Sequence, residues 1–267
     1  MISPAVEIRN LEADVAGHRL LNVESFHVPA GAISAVMGRN GAGKTTLLRA
    51  CLGLVPSARG EIRVLNCSVT QLRSAALTQL RRRIGYVAQL LPPRSEMPLK
   101  VREVVSIGRT GSAGLFRSLD KADWQIIDQW IERLGLTVLA NRSFNEISGG
   151  EQRKTIIARA MAQRPELLLL DEPTANLDLG WRECIVETIE GLHRDTAVTI
   201  LLVCHELEVI PSACRQVTLL ERGGVVASGT PENVFTPERV AALYGTRLKV
   251  IHGSGRHGIL PEGVAHV

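Results

Sequence analysis

The 267 residues suffice for one α/β domain with a sizeable insertion, and their 45% hydrophobic content supplies a core without disulfide staples. A net charge of +4 demands no anionic partner, and aromatics make up only 3% with none interleaved among basic residues, which argues against nucleic acid. Residues 198–204, the longest strongly apolar run towards the end, fall far short of the roughly 20 needed to cross a bilayer, and the N-terminus lacks a basic-then-apolar leader, so a soluble, cytosolic chain is expected.

In chain order, residues 32–37 read as a buried strand feeding GRNGAGKTT, residues 38–46. That run fits G-x-x-x-x-G-K-[ST], in which backbone NH groups at the mouth of a helix face phosphate oxygens. Gly38, Asn40, Gly41, Ala42, Gly43, Lys44, Thr45 and Thr46 are therefore the candidate nucleotide contacts, with Lys44 reaching the β and γ phosphates and the Thr45 hydroxyl placed for Mg²⁺. A helix is expected over residues 44–54, with Pro56 and Gly60 marking its exit. The triplet Arg81, Arg82 and Arg83 reads as a solvated helix end. Pro92, Pro93 and Pro98 mark a loop.

Helical patterns follow. Ile126, Ile127, Trp130, Ile131 and Leu134 recur at helical spacing behind Asp120, a candidate N-cap, with Gly135 at the helix end, and read as a buried face. In ISGGEQRK, residues 147–154, Ser148, Gly149 and Gly150 open a helix whose N-terminus is ready for an anion. Residues 167–170 and 199–203 are short apolar runs suited to parallel strands covered on both faces. The first leads into Asp171, a carboxylate suited to holding Mg²⁺ through water, with Glu172 beside it; the second leads towards His205. Cys51, Cys67, Cys184, Cys204 and Cys214 are odd in number and lack C-x-x-C spacing, so buried reduced thiols are expected. Beyond residue 246, four glycines and His252, His257 and His266 read as a weakly structured tail, whose irregular histidine spacing argues against a metal site. No internal repeat is present, which excludes two tandem modules.

Together these motifs resemble the ATP-binding subunits of ABC transporters, from about Val6 to Gly245. The resemblance implies an α/β P-loop NTPase core with a small antiparallel β region and an inserted α-helical subdomain. Residues 1–88 and 147–245 would form the nucleotide-binding core, 89–146 the helical subdomain contacting a permease, and 246–267 a C-terminal tail. ISGGEQRK is similar to the family's LSGGQ signature, with Ile147 for Leu and Glu151 for Gln. It implies a head-to-tail homodimer in which Ser148, Gly149 and Gly150 of one subunit close over ATP held by the other. Gln89 matches the Q-loop glutamine, touching Mg²⁺ or the attacking water; Glu172 matches the general base, His205 the switch histidine and Asp178 the loop crossing the dimer interface. The aromatic that stacks on adenine in most relatives is replaced by Val15, which implies weak discrimination between ATP and GTP.

Residues 98–111 and 228–245, the latter ending in Tyr244 and Gly245, resemble importers of iron chelates, haem, cobalamin and metal ions. That group implies transmembrane permease subunits, an external solute-binding protein and a place on the cytoplasmic face of the membrane. Alternatives are the ATPase of another ABC transporter class, or a soluble ABC ATPase in translation or DNA repair.

Overall fold

The computed structural model describes residues 3–15, 17–89, 99–114, 117–245, 248–253 and 255–261. The expected proline loop at Pro92, Pro93 and Pro98 lies outside the described residues, as does the side chain of Val15. Two sheets organise the chain. The first is antiparallel, built from β1 (Val6–Val15), β2 (His18–Val28), β4 (Arg59–Val64) and β5 (Cys67–Ser68) in the order β2-β1-β4-β5. The second has six strands and contains β3 (Ile33–Met37), β6 (Ile84–Val87), β7 (Leu167–Asp171), β8 (Thr199–Cys204), β9 (Cys214–Glu221) and β10 (Gly224–Gly229). Its order is β10-β9-β3-β8-β7-β6, parallel except for β10 at one edge.

The apolar runs become central strands because both of their faces find a core. Ile33, Ala35 and Met37, with Leu168, Leu170, Ile200 and Leu202, face one cluster; Val36, Leu167, Leu169, Leu201 and Val203 face the other. The second cluster also takes the antiparallel sheet and α1 (Lys44–Cys51), which buries Leu47, Leu48 and Cys51. The helix is shorter than the sequence suggests: Leu52 caps it and Gly53, at φ 64°, turns the chain away.

The first cluster takes α3 (Val101–Ala113), α4 (Lys121–Arg133), α5 (Gly149–Ala162) and α6 (Leu179–Thr196). Asp120 caps α4 by accepting from the Asp123 amide, and Gly135, at φ 70°, follows its end. Ile126, Ile127, Ile131 and Leu134 are buried as expected, whereas Trp130 is half-buried with Arg133 stacked over its ring at 5.0 Å. Two short helices, α7 (Pro231–Val234) and α8 (Pro237–Tyr244), follow the large sheet.

Three further expectations need correction. The arginine triplet at the end of α2 (Ser74–Arg82) is tied down rather than solvated. Arg81 donates to the Leu52 and Gly53 carbonyls, Arg83 makes a two-pronged ion pair with Glu166, and Gln163 donates to the Arg81, Arg82 and Ile84 carbonyls. All five cysteines are free, but only Cys51, Cys204 and Cys214 are buried; burial pushes the Cys51 thiol up to about 12. The stretch expected to be a weakly structured tail contains an antiparallel hairpin, β11 (Leu248–Gly253) and β12 (Arg256–Pro261). Leu248 and His257 are buried in it, and Val250 and Ile259 pack on the first cluster.

Candidate nucleotide site

The parallel strands β3, β6, β7 and β8 end side by side, so the residues that follow them converge beyond their carboxyl ends, where sheets of this kind take ligands. There a cavity of about 570 Å³ is lined by the phosphate loop together with Gln89, Glu172 and His205.

The loop has its shape because glycine is obligatory in it. Gly43 stands at φ 99° at the head of α1, and a Cβ there would come 2.7 Å from the Leu20 carbonyl oxygen. Lys44 is buried and folds back along the loop, its Nζ donating to the Gly38 carbonyl at 2.8 Å and the Arg39 carbonyl at 3.2 Å. The same Nζ lies 3.7 Å from Glu172 Oε1.

Glu172 is the hub. It is buried and occupies the left-handed region at φ 48°, a conformation that costs a non-glycine residue about 1 to 3 kcal/mol and must be held by its surroundings. The hold is visible: its amide donates to the Val203 carbonyl at 2.9 Å, and its Oε2 accepts from Gln89 Nε2 at 2.8 Å. His205 Nδ1 stands 3.4 Å from the same oxygen without hydrogen-bond geometry. An ammonium, an amide and an imidazole thus surround one carboxylate, a set able to bind polyphosphate and orient water.

Beside this hub, Thr45 Oγ1 donates to Asp171 Oδ1 at 3.0 Å, and the Tyr86 hydroxyl to Oδ2 at 3.3 Å. Burial pushes the Asp171 carboxyl above its ordinary range, and the neighbouring Glu172 charge adds to this, while the two hydrogen bonds pull the other way. A buried carboxylate next to a hydroxyl and a second carboxylate is a hard-oxygen donor set that fits Mg²⁺.

The remaining candidates are not all brought to this cavity. Gly38 contributes its carbonyl to Lys44, and Ala42 is buried behind the loop. Ser148, Gly149, Gly150 and Asp178 do not line the cavity. Ser148 instead caps α5 in a reciprocal box: the Glu151 carboxylate accepts from the Ser148 amide at 2.7 Å and from its hydroxyl at 2.8 Å. Gly150 is a glycine for a reason that the motif does not disclose. The Trp181 indole lies on it, and a Cβ would sit 2.0 Å from that ring. Asp178 caps α6, accepting from the Trp181 amide at 2.9 Å.

Sequence reasoning missed several participants. Leu20 lines the cavity, and Glu206 and Arg182, paired with each other, close one side of it. Arg153, buried within α5, donates to the Ala88 and Gln89 carbonyls at 2.8 and 2.9 Å and so fixes the backbone under the Gln89 amide. Tyr86 and Arg153 belong to motifs read from the sequence, RRRIGYVAQ and ISGGEQRK, but their partners are distant in the chain.

Comparison with known proteins agrees with this geometry. A family model described as "ABC transporter" matches residues 21–175. The chelated iron transport system membrane protein YfeB of Yersinia pestis is 36% identical over 239 residues, covering 90% of this chain and 78% of its own. The phosphonates import ATP-binding protein PhnC 2 of Nostoc sp. is 34% identical over 86% of this chain and 94% of its own. A solved chain described as a metal-chelate type ABC transporter in an inward-facing conformation superposes with a TM-score of 0.82 over 98% of both chains, at 27% identity. The chain belongs to the ABC transporter family, in which it is an ATP-binding, ATP-hydrolysing subunit.

Proposed function

We propose that the chain hydrolyses ATP in this cavity, as one half of a head-to-tail homodimer, to drive import through partner permease subunits. The observation that carries the reading is Glu172: a buried carboxylate within 4 Å of Lys44, Gln89 and His205 at the ends of the parallel strands. In this reading the amides from Gly38 to Thr46 cradle the phosphates and Lys44 leaves its carbonyl partners for the β and γ oxygens. Glu172 takes up the proton of the attacking water, oriented by Gln89, and His205 contacts the γ phosphate. Thr45 and Asp171, with Gln89, would hold Mg²⁺, which when bound neutralises charge on the phosphates. Ser148, Gly149 and Gly150 of the partner subunit would complete the site from across the interface, with Asp178 at that boundary. Their position outside the cavity of a single chain supports this arrangement.

Residues 1–88 and 147–245 then form the nucleotide-binding core and 89–146 the helical subdomain that meets the permease. The groove of about 320 Å³ between Leu54, Arg81 and Ile107 suits that contact. No helix among the described residues is long and apolar enough to cross a membrane, which fits peripheral attachment to the cytoplasmic face through the permease. An external solute-binding protein would deliver cargo. The chelated-iron relative and the metal-chelate type neighbour favour a metal ion or metal chelate as that cargo, with haem and cobalamin in the same group; the phosphonate relative supports a second reading, a small phosphorus-containing anion. Purification of the tagged chain from its native membranes in mild detergent, with mass spectrometry of what accompanies it, tests the transport reading. A many-spanning permease is the expected companion; recovery with ribosomes or nucleic acid from the soluble fraction would overturn it.

A further inference from the structure

The C-terminal part of the chain reaches the catalytic end of the sheet at several points. The Tyr244 hydroxyl, at the end of α8, donates to the His205 carbonyl at 2.8 Å across 39 positions of sequence. The Ile259 amide of β12 donates to Glu208 Oε1 at 3.3 Å, three residues beyond His205. Arg256, in the same strand, pairs with Glu183 on α6, next to the Arg182 that pairs with Glu206. The segment 205–208 is therefore gripped from one side by α8 and the hairpin.

The imidazole of His205 needs such a grip. It is 39% exposed, and its Nδ1 makes no hydrogen bond among the described residues although it stands 3.4 Å from Glu172. Its Nε2 stands 3.5 Å from Glu206 Oε1, so both ring nitrogens meet carboxylates only at long range, and the ring's place is set largely by the backbone from which it springs. That backbone has left β8 and is no longer held by the sheet ladder. Its carbonyl is held by a phenol that is itself packed against the first core cluster, and burial there pushes the phenol well above its ordinary range, keeping it a neutral donor.

We propose that Tyr244 is a positioning residue for His205: its hydroxyl pins the His205 peptide, and through it α8 and the β11–β12 hairpin hold the imidazole beside Glu172. The proposal rests on the reading of His205 as a γ-phosphate contact. It gives the C-terminal segment a part in turnover, so that displacement of α8 slows hydrolysis without touching the phosphate loop.

The test is Tyr244→Phe, which removes one oxygen and keeps the packed ring, measured in the purified chain together with its permease. ATP affinity and KM stay within about twofold of wild type, while kcat falls about five- to tenfold, the loss expected for one buried hydrogen bond. The amides of residues 205–208 exchange faster with solvent. In a His205→Ala background the same change has no further effect on kcat, because the residue it acts through is gone. Wild-type kcat in Tyr244→Phe, with His205→Ala impaired, overturns the proposal and leaves the reading of His205 intact; so does an additive loss in the double variant. Unchanged kcat in His205→Ala defeats that reading and the proposal with it. Arg256→Ala, which loosens the hairpin at another point, supplies the same measurement should Tyr244→Phe fold poorly, with a fall in kcat at constant KM supporting the proposal and wild-type kcat opposing it.

Discussion

Lys44 illustrates how much one side chain can be asked to do. It is buried with a positive charge, and its partners are two carbonyls of its own loop and a carboxylate at 3.7 Å, a set that polyphosphate can replace with stronger, charge-assisted contacts. Lys44→Ala removes the cation and leaves Glu172 facing the phosphates without it. An ATP-binding titration is expected to show affinity weakened by about a hundredfold, the scale of losing one or two charged hydrogen bonds, together with loss of turnover. Normal affinity in that variant would contradict the placement of the phosphates. The lysine, Thr45, Asp171, Glu172 and His205 were legible in the sequence because each stands in a short motif or directly after an apolar run. Tyr86, Arg153 and Trp181 were not, since their roles are defined by groups 85, 64 and 31 positions away, and no local pattern encodes such a distance.

Two elements are held together where Trp181, in the first turn of α6, packs against Gly150 at the start of α5. Gly150→Ala forces the indole off that surface at a cost of about 1 to 3 kcal/mol, the usual range for overpacking, and is expected to lower the melting temperature and alter tryptophan fluorescence. An unchanged melting temperature and spectrum would show that the contact yields freely. The hairpin carries a pH dependence of its own. His252 Nδ1 and His257 Nδ1 are 2.8 Å apart, and burial, followed by the nearby His252, holds the His257 pKa below its ordinary value, with Glu232 opposing and Arg256 assisting. A base depressed in the folded state binds its proton more readily when unfolded, so the contribution is present above the ordinary histidine pKa. It is lost as pH falls from there through the folded value. Protection factors at residues 248–253, that is, exchange rates taken relative to the base-catalysed intrinsic rate at each pH, should therefore fall on acidification below about pH 6.5 and stay constant between pH 7 and 8; loss of protection at the alkaline end would contradict the assignment. This hairpin escaped sequence reading because Gly253, Gly255 and Gly258 interrupt its pattern and its order comes from packing against distant residues such as Glu183 and Glu208.

For the whole molecule, the division of labour follows from the parallel sheet. Its central strands β3, β7 and β8 were legible since each is apolar on both faces, whereas β6, β9 and β10 were not read from the sequence; the order in which the strands lie fixes which loops meet at their ends. The proposed relation between copies of the chain is encoded only indirectly, by a signature helix whose first residues do not line the cavity of their own subunit and are capped meanwhile by Glu151. With that separation, the proposed cycle depends on a second subunit. Glu172→Gln keeps the size of the side chain and its neighbours Lys44, Gln89 and His205, but removes the charge that would take the proton of water. Size-exclusion chromatography with light scattering of this variant, with ATP and Mg²⁺, reads that dependence. The proposed cycle requires a stable species of twice the monomer mass containing two ATP molecules and lacking ATPase activity, which dissociates when ATP is removed. A monomer that hydrolyses ATP at the wild-type rate would contradict both the role of Glu172 and the shared site.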